Sequence, residues 1–432
     1  MSNLKSIYEL DVAELTNLAE NPGTPDDVLI EMVSLKKEHI NMCIAKRSPL
    51  SGRVFSELIK EDGNKNKYVL LTLIDNKSIE IPRLQSIIDH LISTGSKKDI
   101  IERCFSCIYE RHDAPRELLI EGARSNVQSL QMSVLQNASA SADVEIISIL
   151  ANSEKEDVVN AIARLKETPI SILRALSKSE TLFIRESVAS NVNSDHEILE
   201  RLSNDVLSVS SRVAKNTSAP AELLRSMFEW EHQLLKQYIA ANLNCPLDLM
   251  DGIASLQESD PSHHSAKLAL ANNISTPVDI LDKLLLAKND KIIEAVVQNQ
   301  SYVANENTIK CLTRVPDFSI SARMKLADNP STPLSIMLRL LAIEDTPLVK
   351  NVFIGAITKA PDSKFEALHK EGWDLGRLIG HEDKLQSLES LLRDCKLFDA
   401  IDKLLGLELK RKIETASEGQ SAVSSNKINR CI

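Results

Sequence analysis

Eight residues that return along the chain restrict its fold more than any other feature. They read LAENPGTP at 18–25, VAKNTSAP at 213–220, LANNISTP at 270–277 and LADNPSTP at 326–333. Their shared form is apolar, small, x, Asn, x, x, Thr, Pro, and weaker copies stand at 162–169 (IARLKETP), 188–195 (VASNVNSD) and 239–246 (IAANLNCP). Recurrence on a scale of a few dozen residues is the signature of stacked repeats, in which no unit can bury its apolar edge alone.

Taking the Asn position as a marker gives positions 21, 47, 76, 111, 137, 165, 191, 216, 242, 273, 299, 329 and 359. The basal step is 26 residues, as from Asn216 to Asn242, with longer steps where loops are inserted. Asn fills most of these positions, including Asn21, Asn191, Asn216, Asn242, Asn273 and Asn329, whereas Arg47, Arg111, Leu165 and Lys359 mark degenerate units. Three residues earlier every unit is apolar, from Leu18 and Ile44 through Ile239 to Leu326 and Ala356, so this column belongs to a core. The next residue is often Ala, as in Ala19, Ala163, Ala214 and Ala271, which suits close approach of two helices.

Each box reads as a helix end followed by a helix start. Asn tolerates the left-handed conformation that ends many helices. Thr or Ser then offers a hydroxyl to cap free amides, and Pro25, Pro220, Pro277 and Pro333 suit a first helical position because they have no amide to satisfy. Downstream, Leu281 and Leu284 or Met337 and Leu340 put one apolar stripe on a short second helix. The expectation is an all-α solenoid of about thirteen two-helix repeats. Only 12 glycines and 3% aromatic residues in 432 agree with helices better than with sheets.

On these residues the unit resembles the leucine-rich repeat variant family, and is similar to HEAT and armadillo solenoids. The resemblance covers roughly residues 15 to 365 and implies a right-handed superhelix of paired short helices. It carries no catalytic motif, and the period here is slightly longer than that family's.

The repeats are expected to occupy 16–380, with 1–15 as an N-terminal cap and 381–414 as C-terminal capping helices. Leu385, Leu388, Leu391, Leu392, Leu397, Ile401, Leu404 and Leu405 show helical spacing there, which suits either a cap over the last repeat or a dimerising helix. The polar stretch 415–432 reads as a disordered tail.

Charge argues against a general affinity for phosphate: 51 Lys and Arg face 61 Asp and Glu, a net charge of −10. Neither a signal-peptide pattern nor a long apolar span is present, and the scattered cysteines at 43, 104, 107, 245, 311, 395 and 431 do not form a disulfide framework. A cytoplasmic protein without a membrane segment is expected.

Six residues before the marker stand Arg185, Lys236, Lys267 and Arg323, a column that would lean over the edge of the buried face and could bind an acidic partner. The competing reading is local ion pairing, with Glu180 and Asp317 just upstream. Cys104 and Cys107 form a lone CxxC, too few ligands for zinc or an iron–sulfur cluster, and His263 and His264 sit in an insertion without a third ligand set by spacing. No HExxH, GxGxxG, Walker or GxSxG motif occurs, so no catalytic residue, metal or cofactor is assigned. The expectation is a non-catalytic scaffold that binds another protein through its concave wall, with the longer insertions at 48–75, 77–108 and 247–270 tuning specificity. Two alternatives are a regulatory subunit of a larger complex and a nucleic-acid binder like the HEAT-like DNA glycosylases. The second is disfavoured by the acidic charge and by the presence of only Trp230 and Trp373.

Overall fold

The computed structural model describes residues 7–60, 67–95, 98–230, 232–257, 260, 262–287, 289–313, 320–380 and 385–428. The fold is an all-α solenoid. Among the described residues thirteen helix pairs follow one another, beginning with Val12–Glu20 and Asp26–Ser34 and ending with Pro347–Thr358 and Asp362–Lys370, before two last helices, Leu388–Asp394 and Phe398–Ile428. Among the described residues the only strands are Leu378–Ile379 and Gln386–Ser387, a short antiparallel pair with Leu378 opposite Ser387.

The chain divides into two compact units, Met1–Ile198 and Leu199–Ile432. In the first unit the leading helices of successive pairs, Val12–Glu20, Glu38–Ala45, Lys67–Asp75, Lys98–Tyr109, Gln128–Gln136, Glu156–Arg164 and Leu182–Ser190, each pack on the next. The second unit repeats the arrangement with Leu207–Lys215, Gln233–Ala241, Ser262–Asn272, Asp290–Gln298, Ile320–Asp328 and Pro347–Thr358. Second helices also stack, as Arg116–Arg124 does on Val144–Ala151 and Leu247–Ala254 on Val278–Leu284. The apolar column is buried from Ile44 to Leu326, whereas Leu18 and Ala356 at its two ends are half-buried.

The box Asn performs a different task from the one its sequence suggests. It is not left-handed: Asn191, Asn216 and Asn242 have φ of −74°, −70° and −70° with ψ of 127°, 122° and 127°, an extended backbone. What selects Asn is its side chain. In Asn242, Nδ2 donates to the carbonyls of Ala214 and Asn216 in the preceding repeat, both at 2.9 Å, and Oδ1 accepts from the Asn244 amide at 2.9 Å. Asn273, Asn299 and Asn329 repeat this in the second unit, and Asn76, Asn137 and Asn191 repeat it in the first. Helix C-termini leave carbonyls without intrahelical donors, and these amides supply donors from the next repeat. The residue two beyond often adds another rung: Ser331 Oγ donates to the Gln300 carbonyl at 2.7 Å, and the side chains of Asn193 and Asn244 reach the Lys166 and Thr217 carbonyls.

Two of the degenerate units are therefore not degenerate in function. Arg47 Nη1 donates to the Ala19 and Asn21 carbonyls at 2.7 Å, the pair an Asn would reach, whereas Arg111 Nη1 joins the repeats one turn further on, at the Ile79 carbonyl at 2.9 Å. A guanidinium has donors enough to replace an amide as the bridge.

The Thr-Pro step also departs from expectation. Thr24, Thr168, Thr276 and Thr332 send their hydroxyls backwards to the Leu18, Ile162, Leu270 and Leu326 carbonyls at 2.6–2.7 Å, so they cap the helix just ended. Pro25, Pro220, Pro277 and Pro333 stand at the N-cap of the following helix, with no side-chain cap, rather than at its first helical position. Proline has no amide to lose there, and its φ near −65° suits the extended cap. In one box Tyr302 replaces Thr, and its buried hydroxyl bonds Asp282 at 2.9 Å and Thr308 at 2.6 Å instead.

The ends also differ from the sequence reading. The first repeat helix already begins at Val12, inside the stretch read as a cap, because Asp11 and Glu14 form a capping box. In the expected cap 381–414, residues 381–384 lie outside the described residues. Of its spaced apolar residues, Leu388, Leu391, Leu392, Leu397, Ile401 and Leu404 are buried, and Leu385 and Leu405 are exposed. The last helix packs on Pro347–Thr358, Asp362–Lys370 and Leu388–Asp394. It continues to Ile428, through most of the stretch read as a disordered tail; 429–432 lie outside the described residues. No proline interrupts that stretch, and a helix already nucleated extends at little cost. Inserted residues are partly absorbed by longer helices, such as Ile81–Ser93 and Lys98–Tyr109.

Candidate interaction surface

The four cations six before the marker do not form an exposed row. Lys267 and Arg323 are buried, and Arg323 Nη1 pairs with the buried Glu344 at 2.9 Å, with Glu344 also accepting from the Thr346 amide. Arg185 is half-buried and donates to the Ser179 and Glu180 carbonyls at 2.8 and 3.0 Å. Lys236 is half-buried, with its ammonium 5.2 Å from the centre of the Phe228 ring. The column lies too close to the core column for long side chains to reach solvent freely, so it turns inward to carbonyls, a ring or a carboxylate. Glu180 meets Arg185 through its backbone rather than its carboxylate, and Asp317 lies outside the described residues.

Charge pairing between repeats occurs mainly on the second helices, with Lys325 to Glu294 at 2.7 Å a pair between leading helices. In the first unit Arg53 meets Asp27, Arg116 meets Asp143 and Glu145, and Arg174 meets Asp195 and Glu197. In the second, Arg225 meets Asp248, Lys283 meets Asp251 and Arg339 meets Glu306. The Arg116 guanidinium holds Asp143 below the usual carboxylate range by hydrogen bonding, and Arg225 does the same to Asp248. These pairs are solvent-exposed and contribute register more than stability.

Cys104 is fully buried, and Cys107 donates to Asp75 Oδ1 at 3.5 Å. Burial pushes the Cys104 thiol up to about 12 and Cys107 to about 11, away from the thiolate that metals and redox chemistry require. His263 donates from Nδ1 to the Gln257 carbonyl at 3.0 Å, with Asp260 3.6 Å from Nε2. Among the described residues, no group of three or more His, Cys, Asp or Glu is arranged to hold a metal ion.

One recurrent surface feature was missed in the sequence. The starts of several leading helices expose large apolar side chains. In the first unit these are Val12, Tyr68, Leu182 and Phe183; in the second they are Val206, Leu207, Leu234, Ile320 and Leu348. Trp230, 42% exposed, stands just before the helix that carries Leu234. Val12, Leu182, Leu207 and Ile320 all lie nine residues before their box marker, where the other units carry polar residues such as Glu38, Lys67 and Asp290, so no periodic signal marked them in the sequence.

In sequence the chain matches no protein-family model and no curated protein. Among the described residues, no helix is long and apolar enough to cross a membrane.

Proposed function

We propose that this protein is a non-catalytic repeat scaffold, akin to leucine-rich repeat variant solenoids, that binds another protein along the leading-helix edge of its repeats. The observation that carries this reading is the set of exposed apolar residues at the starts of leading helices. Single exposed hydrophobics are ordinary, but large ones that recur at the starts of leading helices within a unit make an apolar edge, and such patches mark protein-binding surfaces. Val206, Leu207, Trp230 and Leu234 stand exposed at the starts of two successive leading helices of the second unit, and Trp is a typical anchor. The six described cysteines are all free, which supports a reducing, cytoplasmic setting.

The test is affinity capture with the tagged chain and with a triple variant, Leu207→Glu, Trp230→Glu and Leu234→Glu. All three residues are exposed, so the variant should keep the parent melting temperature. The reading expects specific partners to be lost from the variant; an unchanged partner set would refute this surface.

A further inference from the structure

We propose that a cavity beside Trp373 binds the C-terminal residue of a partner peptide, taking an apolar side chain and the free α-carboxylate together. The proposal deepens the protein-binding reading and rests on it, but concerns a different part of the second unit.

The cavity has a volume of about 420 Å³. Its apolar walls include Ile309, Ile343 and Ile379, with the nearly buried Trp373 between them. Arg339 and Arg377 also line it, and among the described residues no acid does. The Arg377 guanidinium lies over the Trp373 ring, 4.3 Å from its centre, a cation–π contact that holds it at the cavity. Arg339 is positioned by its pair with Glu306, which uses one of five guanidinium donors.

Two guanidiniums beside three isoleucines and a tryptophan define the ligand's chemistry. Arg forks match a carboxylate in two-point geometry. An aspartate or phosphate would satisfy the arginines and leave the walls bare. A chain-terminal leucine, isoleucine or valine attaches a carboxylate and an apolar group to the same carbon, which meets both requirements within one residue's volume. A free N-acyl amino acid carries the same group, so the test must separate it from a peptide.

In the full-length Trp230→Phe variant, Trp373 is the single tryptophan and its fluorescence reports on the cavity. The probe is a hexapeptide ending in leucine with a free carboxylate, compared with its C-terminal amide and with N-acetyl-leucine. The proposal expects saturable change with the free acid, and at least tenfold weaker binding for the amide, for N-acetyl-leucine and for an Arg339→Gln, Arg377→Gln variant of unchanged melting temperature. No saturable response up to millimolar peptide, or equal binding of the amide, overturns it; equal binding of N-acetyl-leucine overturns the peptide as ligand. Loss of peptide binding while the capture experiment still returns partners dependent on Leu207, Trp230 and Leu234 would refute the cavity alone.

Discussion

Replacing Asn242 by Asp isolates the interaction that joins one repeat to the next. The change preserves shape and leaves Oδ1 to accept from the Asn244 amide. It removes both donations to the Ala214 and Asn216 carbonyls and sets a carboxylate oxygen against them at about the same 2.9 Å separation. The site is 2% exposed, so water cannot substitute. Each lost bond costs about 1 kcal/mol net, and a buried carbonyl without a donor about 1–3 kcal/mol, so the expected destabilisation is about 3–5 kcal/mol. A carboxyl in that place resists ionisation, and its protonated form can donate once, so the loss should shrink on acidification. Urea unfolding gives the magnitude, and hydrogen exchange with mass spectrometry gives the location. Protection should fall in the helices that meet at this rung, 207–215 and 233–241, because stability in such stacks is largely a sum of neighbour terms. A loss below about 1 kcal/mol, or one independent of pH, would refute the bridging role.

Three further outcomes follow from the same geometry. Gly122→Ala should destabilise by about 1–3 kcal/mol in thermal or urea unfolding, since overpacked cores lose that much; its new Cβ would stand 2.7 Å from the Tyr109 ring and from Val134 Cγ2. Asp143 caps helix Val144–Ala151 through the Glu145 and Ile146 amides and pairs with Arg116. Its Ala variant should lose about 1 kcal/mol near neutral pH for the cap. Because the folded carboxyl is shifted down, that difference should be complete above the ordinary value of about 3.9 and fade as pH falls through the folded value, measured by melting wild type and variant from pH 7 to 2. Burial raises Cys104 and Cys245 to about 12, so iodoacetamide at pH 8 should leave their peptides unmodified in the native protein and modify them in denaturant; rapid native labelling would contradict the packing.

The architecture was legible because its two signals act locally and repeat. Apolar residues such as Ile162, Val213 and Leu326 recur in one column, and Pro277 and Pro333 punctuate the pairs, so helix count and pairing follow from spacing. The chemistry of the box was less legible. Asn favours left-handed backbone and long-range amide bonds alike, and only the position of the Ala214 and Asn216 carbonyls decides between them. Arg47 looked like decay of the motif because a sequence shows residue type, whereas the fold needs two donors at a given distance. Arg323 looked exposed because Glu344, its partner, lies a helix away along the chain. Of the surface features, the expected cation row dissolved into such partners. The exposed apolar residues Val12, Leu182, Leu207 and Ile320 share a position that is polar in the other units, so neither a periodic signal nor their exposure could be read from the sequence.

Hydrogen exchange of the side-chain amides, followed by NMR with selectively ¹⁵N-labelled Asn, tests the bridging amides directly. Asn21 is the internal reference: it is exposed, and its Nδ2 makes no bond among the described residues. The NH2 groups of Asn76, Asn137, Asn242, Asn273, Asn299 and Asn329 should exchange orders of magnitude more slowly than that of Asn21. Equal rates would mean that the repeats are not held together by their asparagines.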